Sequence, residues 1–196
     1  MSKDVSFARS NLEEAGRLML AIAEDSALLD AIGRAASICT DAIRGGGKVM
    51  FAGNGGSAAD AQHLSAELVG RLGYERPGLP AISLATDVSA LTAIGNDYGY
   101  DAVFSRQLDA IGCAGDVLIC ISTSGRSPNL LKAIDSAKAK GIKTLGLTGA
   151  TGGSMREICD LCLRVPSTDT QKIQEAQIVI GHILCGLIQN TLHPAA

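Results

Sequence analysis

Five short apolar runs without polar alternation constrain this chain more than any other feature: KVMFA (48–52), PAISLA (80–85), DVLICI (116–121), KTLGL (143–147) and LCLRV (161–165). A strand with one wet face alternates apolar and polar residues. A run that is apolar throughout is covered on both faces, as in a parallel sheet between layers of helices. Helical or loop segments separate the runs, as parallel crossovers require. Ahead of the first run, some forty residues carry helical spacing, with Leu18, Ile22, Leu28, Leu29, Ile32, Ala36 and Ile43 among the apolar positions, and Gly45-Gly46-Gly47 stops them. After the last run, IQEAQIVIGHILCGL is helical and apolar on nearly every face, so the domain or other subunits must cover it. The sequence predicts an α/β fold. It is a three-layer sandwich around a five-stranded parallel sheet in doubly wound, flavodoxin-like order, with long helices at both termini. No linker or charge break interrupts residues 1–196, which read as one domain.

Composition narrows the function classes. Seventeen Lys and Arg against twenty Asp and Glu leave a net charge of -3, and aromatics are 3% with no Trp. A nucleic-acid surface needs a basic stripe and stacking rings, and neither is present. Residues 176–192 lack formal charge, but Gln177, Gly181, His182, Gly186, Gln189 and Asn190 make them a poor membrane span. The opening MSKDVSFARSNLEEAG places acids where a signal peptide needs an apolar core, so the expected location is cytoplasmic. Cys39, Cys113, Cys120, Cys159, Cys162 and Cys185 read as reduced, mostly buried thiols in a chain too large to need disulfide staples. The Cys159-x-x-Cys162 pair lacks the second pair of a zinc ribbon and runs into a strand, which makes it structural.

Two segments repeat one design of strand, small-residue loop and helix start: VMFAGNGGSAADAQH and LICISTSGRSPNLLKAI. In a doubly wound sheet both loops lie at carboxyl ends of strands, where ligands bind. In STSGRSPN, four hydroxyls (Ser122, Thr123, Ser124, Ser127) surround Gly125, with Ser127 placed as N-cap and Pro128 as first helical residue. Free amides at a helix start plus hydroxyl donors suit a phosphate monoester; an ordinary capped turn has similar composition. In GNGGSAAD, Gly53, Gly55 and Ala58 satisfy a dinucleotide fingerprint. The acid expected about 20 residues on, ending a second strand, is missing, because the next run ends near Asp87. The reading is no nicotinamide cofactor. His63 and Glu67 share a helix face, about 6 Å apart at Cβ, a spacing that serves metal ligation, proton transfer or a plain surface pair. Gln174 and His182 are two turns apart and about 80° around the axis. His182 sits among Ile180, Ile183 and Leu184, where it needs a partner, be it a carbonyl or a site. Spacing alone leaves open whether these four converge.

The blocks GNGGSAADAQH, RPGLPAISL, GNDYGY (95–100), GDVLICISTSG, LTG (147–149), and RVPS followed by KIQEAQ and GHILC run over nearly the whole chain. In that order they resemble the sugar isomerase (SIS) domain superfamily and, within it, the bacterial phosphoheptose isomerase family. The resemblance implies a homotetramer with active sites shared between subunits, and interconversion of sedoheptulose 7-phosphate and D-glycero-D-manno-heptose 7-phosphate through an enediol(ate), for heptose and lipopolysaccharide precursors. It implies a phosphate cradle at Ser122, Thr123, Ser124 and Ser127. Further substrate contacts are implied at Asn54, Gly55, Gly56, Ser57, Arg71, Asn96, Asp97 and Gln174. One Zn2+ per active site is implied on His63, Glu67, Gln174 and His182, with Glu67 and His182 as the acid/base pair. Whether Glu67 is ligand, base or both stays open. Relatives often carry histidine where this chain has Gln177, and they vary at the positions of Asp169 and Thr170. The superfamily also holds a non-catalytic protein that binds the bacterial replication initiator, and sugar-phosphate sensors; the presence of both Glu67 and His182 favours the enzyme.

Overall fold

A computed structural model describes residues 3–195. The chain runs α1 (Lys3–Glu24), α2 (Ser26–Arg44), β1 (Val49–Gly53), α3 (Gly56–Val69), β2 (Ala81–Ser83), α4 (Val88–Tyr98), α5 (Ser105–Ile111), β3 (Val117–Ser122), α6 (Pro128–Ala139), β4 (Lys143–Thr148), α7 (Met155–Ile158), β5 (Leu161–Arg164) and α8 (Thr170–Leu192). All five expected strands form, and every pairing is parallel, in the order β2-β1-β3-β4-β5. The helical stretch ahead of β1 is two helices. Asp25 has extended backbone and its carboxylate accepts from Leu28 N at 3.0 Å, which caps α2 and ends the run in α1.

Alternate strand residues feed two cores, as the period of a strand dictates. Val49, Phe51, Val117, Ile119, Leu145 and Leu163 pack with α2, α3 and α8 on one face. Met50, Ala52, Leu118 and Cys120 pack with Phe104, Leu108, Leu130 and Ile134 on the other. β1, β3 and all but the first residue of β4 are wholly buried, which explains their unbroken apolar character.

Two consequences position the site. β1 and β3 are neighbours in register, Gly53 opposite Ile121, so the GNGGS and STSG loops leave the same edge side by side. This is the point where the strand order reverses, the ligand crevice of a doubly wound sheet. α3 and α8 share a layer, so the side chains of the early helix and the last one meet. Val179, Ile183 and Leu187 of α8 stay exposed in the single chain, so the domain does not bury this helix by itself. Among the described residues no helix is long and apolar enough to cross a membrane.

Candidate active site

The two loops are tied together by amides. Asn54 Nδ2 donates to Asn129 Oδ1 at 3.0 Å, and Asn129 Nδ2 returns the bond to Asn54 Oδ1 at 2.8 Å. Asn129 is buried in the first turn of α6, so this reciprocal pair fixes the loop after β1 against the loop after β3. Tyr100 Oη donates to the same Asn54 oxygen at 3.1 Å, which brings the GNDYGY segment to the rim. The sequence reading overlooked Asn129 and Tyr100; Asn129 is the second residue of an otherwise ordinary Pro-led helix start.

The serine turn is built around Gly125 at φ +63, a left-handed conformation that favours glycine. A Cβ there would collide with the Gly152 carbonyl, so this loop and the loop after β4 interlock. Ser122 Oγ accepts from Gly125 N at 3.1 Å and lies 3.3 Å from Ser127 Oγ. Ser127 takes the N-cap position with Pro128 following, but its hydroxyl makes no capping bond; it turns instead toward Ser122. The first turn of α6 is therefore closed by backbone alone, Leu130 N and Leu131 N donating to Ser127 O at 3.0 and 3.1 Å, with no side-chain cap. Between the loops lies a cavity of about 310 Å³, bounded by Asn54, Gly55, Gly56 and Ser57 on one side and by Ser122, Thr123, Ser124 and Ser127 on the other, with Thr170 and Gln174 of α8 closing it. Gln174 presses its amide against Gly56, where any side chain would displace it. Thr170, carried only as a variable position in the sequence reading, is part of the wall.

Farther along the helices that line this cavity, α3 and α8 bring together a second set. His63 Nε2 lies 2.8 Å from His182 Nε2, with the rings edge-to-face at 85°. Glu67 Oε1 is 3.3 Å from His63 Nε2, and one ligand atom from each of the three falls within 4.8 Å of the others. Of the four residues whose convergence spacing leaves open, His63, Glu67 and His182 meet, while Gln174 lies against Gly56 in the cavity wall. His182 is half-buried at the α3 seam, not enclosed among Ile180, Ile183 and Leu184, and its neighbour Ile183 is exposed. Two imidazole nitrogens at this distance share one proton, or aim two lone pairs at a common centre. Two histidines and one carboxylate are the donor set of a catalytic zinc site with an open fourth position, and the residues present fit such an ion.

Asp60 stands one turn before His63 on α3, and its Oδ2 is buried without a hydrogen-bond partner. Burial pushes this carboxyl above the usual carboxylate range, against the opposing pull of His63 and His182. The sequence reading missed it, although positions 60, 63 and 67 trace one helical stripe.

Other expected contacts lie apart. The described side-chain partner of Arg71 is Glu75, at 3.7 Å on the surface. Asn96 donates to Asp97 at 2.8 Å on the exposed end of α4. Gln177 is fully buried and donates to Leu147 O at 2.8 Å, so it holds the end of β4 and is not turned to the histidine pair. Asp169 caps α8 by accepting from Gln171 N and Lys172 N.

This architecture, with a serine turn and a glycine loop at one sheet edge, defines a class. The SIS domain profile matches residues 10–149. The phosphoheptose isomerase of Burkholderia pseudomallei (strain 1710b) is 54% identical over 191 residues, 97% of each chain. That of Rhodospirillum rubrum is 60% identical over 162 residues, 83% of this chain and 86% of its own. The solved structure of a phosphoheptose isomerase from Francisella tularensis superposes with a TM-score of 0.91 at 37% identity, covering 95% of this chain and 98% of that one. The chain belongs to the SIS domain family and, within it, to the phosphoheptose isomerases, which makes it an isomerase.

Proposed function

We propose that this chain interconverts sedoheptulose 7-phosphate and D-glycero-D-manno-heptose 7-phosphate, as a cytoplasmic step toward heptose-containing surface polysaccharide. The observation that carries the reading is the placement of Glu67 and His182 within 4.8 Å of one another, on the same two helices, α3 and α8, whose N-terminal residues line the hydroxyl-bearing cavity.

The phosphate would sit in the serine turn, with hydroxyls of Ser122, Thr123, Ser124 and Ser127 as donors and the positive end of α6 facing it. Asn54, Gly55, Gly56, Ser57 and Gln174 would line the sugar; Arg71, Asn96 and Asp97 would reach it from the rim or from a neighbouring subunit of a homotetramer. Anchored at its phosphate, the chain of carbons extends toward the histidine pair. Isomerisation removes a proton from C1 of the ketose, gives an enediol, and returns a proton to C2 while the C1 hydroxyl loses its own. The two carbons are bonded neighbours, so groups within 4.8 Å of each other can serve both. Glu67 takes the carbon-bound proton, and His182 manages the oxygen-bound ones. A divalent ion such as Zn2+ would be held by His63, Glu67, Gln174 and His182, and when bound it polarises the sugar's carbonyl and hydroxyl oxygens. A carboxylate has two oxygens, so Glu67 can ligate with one and move a proton with the other; the single lone pair of an imidazole Nε2 serves one role at a time.

The test is incubation of the purified protein with sedoheptulose 7-phosphate while aldose formation is followed. Aldose accumulating to an equilibrium ratio is expected; no aldose with Zn2+ present would overturn the assignment.

A further inference from the structure

Arg76 lies in the loop after α3 and takes no part in either cluster, yet it is only 7% exposed. A buried cation normally has a carboxylate partner, because desolvation is costly without one. Among the described residues this guanidinium has none. It spends its donors on carbonyls at the end of the helix that carries Glu67: Nη2 on Glu67 O at 2.7 Å, and Nη1 on Leu68, Gly70 and Pro77 O at 2.7, 2.8 and 2.9 Å. A helix C-terminus leaves such carbonyls unpaired and carries partial negative charge, which suits a cation there. The Nε donor points away from α3. Nε reaches Gln189 Oε1 of α8 at 3.0 Å. That same oxygen accepts from Leu72 N at 3.1 Å, and Gln189 Nε2 donates back to Leu72 O, so one amide grips both the guanidinium and the backbone beyond α3.

Gln189 is seven residues after His182, hence on the same side of α8 and about 10 Å along it. The Arg76–Gln189 contact therefore joins the two helices whose side chains form the histidine cluster, one to two turns from the site. Closer in, Gly181 lets α8 approach so tightly that a Cβ there would lie 2.5 Å from Leu64. Separation and axial register of the helices are thus fixed at separate points.

We infer that Arg76 and Gln189 are positioning residues: they lock α3 against α8 and so set the distance of His63 and Glu67 from His182. The planar fork of Arg76 makes this possible, because its donors diverge toward two helices at once; a lysine ammonium reaches one set or the other. The kinetic part of this inference rests on the isomerase reading; its metal-binding part does not.

The experiment compares wild type, Arg76→Lys and Gln189→Leu by three measurements. These are thermal unfolding, titration of metal-free protein with Co2+ followed by visible absorption, and kcat and KM on sedoheptulose 7-phosphate. Folded variants with Co2+ affinity reduced about 10- to 100-fold are expected, the scale of losing a group that orients metal ligands. A fall of tenfold or more in kcat should accompany this, with KM within about twofold, since the serine turn is carried by β3 and α6 and not by the clamped helices. If Arg76→Lys fails to fold, Gln189→Leu decides. Lowered Tm with wild-type Co2+ affinity and kcat would overturn the inference and leave a purely structural clamp. Wild type that binds Co2+ but forms no aldose would sink the isomerase reading while the Co2+ comparison still tests the clamp. Wild type that does neither overturns the clamp as well, since nothing would be there to position.

Discussion

Among the described residues two clusters, one of histidines with a carboxylate and one of thiols, have the residue types of a metal or redox site, and their surroundings differ. His63, Glu67 and His182 meet at a half-open seam, with donor atoms turned toward each other. Cys159 and Cys162 also converge: a Cβ on Gly146 of β4 would lie 3.2 and 3.1 Å from their two sulfurs. Burial pushes the Cys159 thiol up to about 12, helped by Cys162 beside it, and Cys162 is raised by burial too, despite the Thr148 hydroxyl 3.4 Å away. A protonated, desolvated thiol is a poor nucleophile at neutral pH. The lesson is that spacing nominates and environment decides: a CxxC pair over a glycine fills a gap in the sheet, while an i,i+4 His/Glu pair facing a histidine of a second helix aims its donor atoms at a common point.

The sharpest way to break this contrast is to remove the reactive pair. Glu67→Gln and His182→Gln are expected to lower kcat by about 10²–10⁴-fold while thermal unfolding stays close to wild type, the range for a lost general acid or base. Turnover retained in both variants would end the role assignment. Asp60→Asn sharpens it in a different way. The folded Asp60 carboxyl titrates above its unfolded value of about 3.9, so its charged form costs stability at neutral pH, and wild type gains stability as pH falls through that window. The Asn variant should have a higher Tm at pH 7 and lose that pH dependence. Zn2+ affinity should fall about 10- to 100-fold, as checked by chelator competition. Next comes Thr123→Val, which removes one hydroxyl from the serine turn without changing shape. KM is expected to rise about tenfold with kcat little changed, as steady-state kinetics will show. The smallest effect belongs to the cysteines. Cys159→Ser with Cys162→Ser should leave kcat/KM within about twofold and shift stability by about 1–2 kcal/mol, read by denaturant unfolding. A large loss of activity there would erase the distinction between the clusters.

How much of this was legible follows from the range of each contact. Buried strands announce themselves because coverage on both faces removes every polar position, and the edge strand Ala81–Ser83 was the least well bounded because Ile82 is partly exposed. The Asp25 break between α1 and α2 was missed because one residue of extended backbone does not disturb the apolar spacing around it. His63 and Glu67 were visible as a pair because four residues make one turn; Asp60 belonged to the same stripe and was passed over for lack of a partner.

By itself, the order of residues determined the sheet, its parallel sense, the two ligand loops at one edge and the short-range pairs on each helix, because these depend on burial pattern and on spacings within a few turns. Tertiary structure alone decided that His63 meets His182 across 119 residues, that Asn54 and Asn129 exchange amide bonds across 75, and that Arg76 finds Gln189 across 113. The first and last of these are set by how α3 and α8 are pressed into one layer on the sheet, and the asparagine pair by how α6 seats beside β1. That packing is a property of the assembled core, and no local stretch of sequence contains it.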